Sequence, residues 1–315
     1  MSKKSRSRLD ESVAARRAVE GSAEWSRSAP RGGVPASGIL RAALGILATA
    51  TLAAVAFEPA PVAAGGTPPN GPGTAGPPYN YTTELMVPGP AEPLVDKASL
   101  DSTKHGYRFR AGQQDTHLTI TVTPRGRLKL VDTGTKSFKD IARVCKRRHP
   151  PTGIAAVCPI PAGISADKPL LIEVWPRLGD DYVDTSSLPE TYAVTVLGDA
   201  GKEVVKFGAG WDFFNGHTGR DVIEGGDGND WIRSGGDNDL VHGDGGDDQI
   251  IDQDAGGNDV FFGGSGDDRL GGNSGIDRLV GGDGNDFVLC GDGIDAVISD
   301  GNDRINRECE VVAFL

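Results

Sequence analysis

One nine-residue pattern repeats ten times between residues 207 and 298, and it leaves the chain few ways to fold. Registers begin at 207, 216, 225, 234 and 243; after two extra residues, Asp252 and Gln253, they resume at 254, 263, 272, 281 and 290. Position six is Asp in every copy: Asp212, Asp221, Asp230, Asp239, Asp248, Asp259, Asp268, Asp277, Asp286 and Asp295. Position eight is apolar in every copy: Phe214, Ile223, Ile232, Val241, Ile250, Phe261, Leu270, Leu279, Val288 and Val297. Position four is Gly in nine of ten copies, Asp237 being the exception. A Gly/Asp-rich linker kept unfolded by its charge has no reason to hold an apolar residue at each eighth position.

Each copy divides into a Gly-rich turn and a short strand centred on position eight. Alternation along the strand sends position eight inward and positions seven and nine outward. If one copy makes half a coil, copies two apart stack on the same edge. Asp212, Asp230, Asp248, Asp268 and Asp286 then line one edge, and Asp221, Asp239, Asp259, Asp277 and Asp295 the other. Carboxylates stacked at strand spacing repel one another unless a cation lies between them. Carboxylate and carbonyl oxygens, without sulfur or imidazole, select calcium over zinc or copper. Five Asp per edge leave four gaps each, so eight ions is the ceiling.

The best copies read Gly225-Gly226-Asp227-Gly228-Asn229-Asp230-Trp231-Ile232-Arg233 and Gly281-Gly282-Asp283-Gly284-Asn285-Asp286-Phe287-Val288-Leu289. This pattern resembles the repeats-in-toxin (hemolysin-type) calcium-binding repeat, G-G-x-G-x-D-x-U-x. The resemblance implies an all-β chain whose repeats form a right-handed parallel β-roll, a nonapeptide solenoid with calcium between stacked turns. Its expected ligands are the ten position-six Asp together with the turns Gly225, Gly226, Asp227 and Gly228; Gly243 and Gly245; Gly263, Gly264 and Gly266; and Gly281, Gly282, Asp283 and Gly284. Two copies depart from the pattern: Ser234-Gly235-Gly236-Asp237 displaces the glycines, and the copy at 207 opens Phe207-Gly208-Ala209-Gly210. Without calcium the segment is expected to be disordered.

The charge fits that reading. The net charge is −12, but residues 207–310 hold 24 acidic and 6 basic side chains, a net of −18. Such acidity argues against nucleic acid as a partner and for cations. Residues 1–41 are basic, Ala42 to Phe57 is an uncharged apolar run, and Val62-Ala63-Ala64 offers small residues for cleavage. The run falls short of the roughly 20 residues of a membrane span, so 1–64 is expected to be a signal peptide or leader. Contact with a membrane would come only through an uncleaved leader. A Pro/Gly linker covers 65–80.

Residues 81–206 read as short strands, among them Leu118 to Thr123, Leu128 to Val131, Leu170 to Trp175 and Tyr192 to Leu197. Degenerate copies occur at Gly179, Asp181 and Val183, and at Gly201, Glu203 and Val205. This strand-rich region is expected to cap the coil at 207–298, with 299–315 as the carboxy-terminal cap. Four cysteines in an exported chain suggest two disulfides, and proximity favours Cys145–Cys158 and Cys290–Cys309 among three connectivities. The run from Cys290 to Glu310 is similar to the ending of secreted actinobacterial calcium-binding proteins of this class. Lys146-Arg147-Arg148-His149 is expected to be a solvated loop.

No enzyme signature emerges. The five histidines form no H-E-x-x-H pair, and neither G-x-S-x-G nor a phosphate-cradling G-x-x-x-x-G-K-[ST] occurs. The expected function is that of a secreted, non-enzymatic calcium-binding protein whose coil folds on binding the ion. Several outward positions are nevertheless apolar: Phe213, Val222, Trp231, Leu240, Val260, Phe262, Phe287 and Leu289. They suggest a calcium-dependent adhesin that meets a cell-wall polymer or a protein at the cell surface. A polysaccharide-acting enzyme on a parallel β-helix is a further, weaker alternative.

Overall fold

The computed structural model describes residues 94–253, 256–306 and 308–314. The leader expected at 1–64 and the linker at 65–80 lie outside the described residues. Among those described, every regular element is a β-strand.

The strands form two long sheets, of eleven and twelve strands, with a two-stranded ladder beside them. Successive repeats alternate between the sheets. Phe213–Asn215, Trp231–Arg233, Gln249–Ile251, Arg269–Gly271 and Phe287–Leu289 stack in the first, each parallel to the next. Val222–Glu224, Leu240–Gly245, Val260–Ser265, Arg278–Asp283 and Ala296–Ser299 stack in the second. One copy is therefore half a coil, as the spacing predicts, and the result is a parallel β-solenoid. Position eight stacks on position eight: Phe214, Ile232, Ile250, Leu270 and Val288 form one file. Ile223, Val241, Phe261, Leu279 and Val297 form the other. All ten are 0% exposed. The two extra residues at 252–253 lengthen the same-edge spacing from 18 to 20 residues without slipping either file.

Parallel pairing continues across residue 207. Glu203–Lys206 joins Val222–Glu224 to Asp181–Asp184, and Tyr192–Leu197 joins Phe213–Asn215 to Leu170–Trp175. Beyond them the direction reverses. His117–Val122, Arg127–Asp132, Ile154–Pro159 and Lys146–Arg148 close the second sheet by antiparallel pairing. Gly106–Arg110 and Lys97–Ser102 do the same in the first, with Ser137–Ile141 outermost. Lys146–Arg148 is thus an edge strand and not the loop expected from its charges. All three of its side chains are exposed, and a basic edge discourages pairing with another chain. The disulfides are Cys145–Cys158, which ties this end together, and Cys290–Cys309, which ties the last coils.

The outward apolar residues divide between the two sheets. Phe213 lies on the first, yet it is buried with Leu171, Ala193 and Leu197 in a second small cluster that Trp175 and Trp231 flank. Phe287 sits between the guanidinium groups of Arg269 and Arg304. Val222, Leu240 and Val260 form one column on the second sheet, and Phe262 stacks on His242 at 4.6 Å between ring centroids.

Candidate metal centre

The turns gather along the two edges of the coil, and each position-six Asp enters a ladder there. On the edge following the first sheet's register, Asp212 N–H donates to Asp230 Oδ1 (2.8 Å), Asp230 to Asp248 (2.8 Å), Asp248 to Asp268 (2.9 Å) and Asp268 to Asp286 (2.9 Å). On the other edge Asp221 donates to Asp239, Asp239 to Asp259, Asp259 to Asp277 and Asp277 to Asp295, at 2.8–2.9 Å. One carboxylate oxygen of each Asp thus caps the main chain of the preceding coil. This explains why position six tolerates no apolar residue: the N–H it receives would otherwise be buried without an acceptor.

The second oxygen has no such role. Oδ2 of Asp221, Asp230, Asp239, Asp248, Asp259, Asp268, Asp277, Asp286 and Asp295 is buried and meets no hydrogen-bond donor. The missing side chain at position one shows what it faces. A Cβ placed on Gly225 would stand 2.6 Å from the carbonyl oxygen of Gly243, one coil on, and 2.8 Å from Asp230 Oδ2. The same pair, a carboxylate Oδ2 and the next position-one carbonyl, surrounds Gly243, Gly263, Gly216 and Gly272. Glycine at position one therefore opens a cradle lined by hard oxygens. Position four needs glycine for a different reason. Gly228, at φ 120°, packs against the carbonyl of Gly210, where no side chain fits.

Buried carboxylates without donors are costly when charged. Burial raises the carboxyl pKa of Asp239 and Asp248 to about 8, of Asp268 to about 9 and of Asp259 to about 7. Asp221, Asp277 and Asp286 are raised to about 6, again by burial first. Asp230 is raised well above its ordinary value, by burial and then by Asp212 and Asp248. The edges must therefore take up either protons or cations. Among the described residues no three His, Cys, Asp or Glu side chains gather around one point. An ion here would take few carboxylates and several main-chain carbonyls, a donor set that fits calcium.

Not every expected residue shares this arrangement. Both oxygens of Asp212 are occupied, Oδ1 by Val194 N–H (2.6 Å) and Oδ2 by Gly208 N–H (3.2 Å). Position one of this copy is Phe207, which turns into the core. In the fourth copy Ser234 fills position one; its buried hydroxyl helps to lower the Asp239 pKa but reaches no full hydrogen bond. Asp237 occupies position four at φ 78°, the left-handed region. Asp227 and Asp283 have exposed side chains. They face the stack through main chain: Asp227 N–H donates to Gly208 (3.0 Å), and the Asp283 carbonyl accepts from Gly266 N–H (2.8 Å). Gly226 and Gly245 also bond coil to coil, with Gly245 N–H donating to Gly226 (2.8 Å) and Gly228 N–H to Gly245 (2.7 Å). Gly264 and Gly282 stack in register, and Gly281 and Gly284 lie beside Asp286.

Asp303, Glu310 and, through its N–H, Glu203 join the ladders although they are absent from the sequence-based set. Asp303 accepts from Asp286 N–H (3.1 Å) and Glu310 from Asp295 N–H (3.0 Å) at the carboxy-terminal end. Asp181 and Glu203 occupy position six in the two coils before 207. The degenerate copies at 179 and 201 signalled the latter pair. Glu310 carried no signal, because the chain reaches it outside the nonapeptide period.

No curated protein and no solved structure matches the chain. A family model does match, that of the RTX calcium-binding nonapeptide repeat, in four copies over residues 195–223, 215–250, 254–279 and 262–297. The ladder, the open position-one cradles and this match agree: the coil from 195 to 297 is an array of RTX calcium-binding nonapeptide repeats.

Proposed function

We propose that the chain is an exported, non-catalytic calcium-binding protein whose repeat coil completes its fold when calcium ions occupy the edges. The observation that carries this reading is the set of nine buried Oδ2 atoms without donors along the two edges, five of which (Asp221, Asp230, Asp248, Asp268 and Asp277) share an open position-one cradle with a main-chain carbonyl of the next coil. Calcium accepts six to eight oxygens in loose geometry, whereas magnesium demands a near-octahedral shell. The residues divide the work. Oδ1 of each Asp holds the preceding coil, Oδ2 is left to neutralise a cation, and position-one carbonyls supply the remaining oxygens. Asp212, with both oxygens occupied, is set apart from the ligands. Because these oxygens converge only when coils stack, binding and folding are one event. Export is supported by the basic-then-apolar leader and by two disulfides, which persist in oxidising compartments. Among the described residues no helix is long and apolar enough to cross a membrane.

Counting bound calcium by equilibrium dialysis tests the reading. The full chain should bind several ions, and Asp248→Asn, which keeps an acceptor for Asp230 N–H but removes the charge, should bind fewer. A chain that binds none, or as many in the variant, would exclude these edges.

The column Val222, Leu240 and Val260 favours a second role built on the first, in which calcium stiffens a coil whose outer face meets a cell-surface protein or polymer. Val260→Asp should then abolish retention on cells or matrix while leaving calcium binding intact.

A further inference from the structure

We propose that the outer face of the second sheet, at the end away from the repeats, binds an anionic polysaccharide. Residues 125–148 hold nine Lys or Arg against two acids, Asp132 and Asp140. Asp132 is buried, and its Oδ1 accepts from the N–H groups of His117 (3.0 Å) and Gly134 (2.9 Å). This excess of positive charge stands in a chain whose residues 207–310 carry a net of −18. It includes none of the proposed calcium ligands, so the proposal goes beyond the calcium reading and can fail without it.

The sheet decides which of these charges share a surface. Along Arg127–Asp132, Leu128 and Leu130 turn into the core and leave Arg127 and Lys129 outside. Ile154–Pro159 likewise sends Ala156 and Cys158 inward. Register then sets Lys129, Val157 and Lys146 in one row across three strands, and Val131, Ala155 and Arg148 in the next. Arg147 has the opposite parity and lies over the Phe138 ring at 5.8 Å. Arg127, Lys129, Lys146 and Arg148 are thus exposed on one side of the sheet. Two strand spacings separate Lys129 from Lys146, about 10 Å. Among the described residues none of the four forms an ion pair. Thr121 and Thr119 extend the same two rows.

Four such cations on a flat face attract a polyanion, and the residues among them narrow its kind. Val131, Ala155 and Val157 are buried or half-buried, so the face lacks the apolar centre on which a stable protein partner depends. None of the residues in the two rows is aromatic, which leaves no platform for the bases of a single strand of nucleic acid. A flat face also presents nothing that enters the groove of a duplex. A polysaccharide charged along its length needs spaced cations for its anionic groups and hydroxyl partners for its own hydroxyls. The Lys and Arg side chains supply the first, and Thr119 and Thr121 the second. Because Lys146–Arg148 is the outermost strand, the face is open on one side to an extended polymer.

The test titrates the full chain, in calcium, with chondroitin sulfate, and with neutral dextran as control. The chain should bind the sulfated polymer and not dextran, more weakly as salt rises. Reversing three charges together, Lys129→Glu, Lys146→Glu and Arg148→Glu, should lower the affinity at least tenfold and leave the number of bound calcium ions unchanged. Should that variant fail to fold, Lys129→Gln with Lys146→Gln decides, with a several-fold loss expected. Full affinity in a folded variant, or no binding by the unaltered chain, would overturn the proposal. So would equal or tighter binding to polyglutamate, which would make the partner an acidic polypeptide, or to vesicles of phosphatidylserine and phosphatidylcholine, which would make it a membrane. A chain that binds the polysaccharide but no calcium would support this proposal and remove the calcium reading alone.

Discussion

The two ends of the same pair of sheets are built on different principles. Between 97 and 197 strands are five or six residues long for the most part, and many place two or three side chains in the core, as Leu128 and Leu130 do, or Leu170, Ile172 and Val174. Ion pairs such as Arg110–Asp101 and Arg108–Glu173 occupy the outer face of that region. From 207 to 298 each copy contributes one position-eight side chain to the inner file, and the edges bury carboxylates whose second oxygen has no donor. The first region has its stability in the chain. The second has a narrow core and a line of carboxylate oxygens without donors, so on the proposed reading its stability depends on what the solvent supplies.

The largest effect should come from removing metal. In chelator, amide hydrogen exchange across 213–298 is expected to become fast, while strands such as Leu128–Leu130 and Ile172–Val174 stay protected. Equal loss in both regions would break the comparison and make the chain a single cooperative unit.

Acid should partly substitute for calcium. The buried carboxyls have folded pKa values raised by burial, to about 8 for Asp239 and Asp248 and about 9 for Asp268, against roughly 4 in an unfolded chain. A raised folded pKa means that the folded coil prefers the protonated acid. The stability this gives is fully present below about pH 4 and is lost as pH rises through the folded values. Chelated protein should therefore show more β signal by circular dichroism at pH 5 than at pH 8. The opposite order would mean that these carboxylates are not buried in the metal-free coil.

Much of this was legible in the sequence because a nonapeptide with one inward residue fixes both period and direction. The alternation of copies between two sheets, the position-eight files and the grouping of Asp on two edges all follow from side-chain parity. The ladder itself was not legible. Whether an Asp oxygen meets the N–H of the coil before or the space in front of a glycine depends on main-chain direction in the turn. Asp212 illustrates the limit: its residue type fits, but the Gly208 N–H takes its second oxygen. Lys146–Arg148 illustrates another, since an edge strand needs only one partner and so tolerates a wholly charged sequence.

The disulfides sharpen the comparison at intermediate size. Replacing Cys290 and Cys309 by Ser should cost roughly 3 kcal/mol in the calcium-loaded chain and loosen the last coils first, where Glu310 caps Asp295. Replacing Cys145 and Cys158 should lower the unfolding temperature without altering the calcium midpoint. A shift of that midpoint would show the two regions to be coupled. The smallest effect belongs to Asp237, whose φ of 78° strains a non-glycine residue. Asp237→Gly should stabilise the loaded coil by about 1 kcal/mol or less, read as a small rise in melting temperature.

The central claim is that cations complete the coil, and far-UV circular dichroism of the chain during a calcium titration, with magnesium as control, tests it most directly. The account predicts a cooperative gain of β signal with calcium and little with magnesium at equal concentration. A spectrum equally rich in β signal in chelator at neutral pH, and indifferent to calcium, would contradict it.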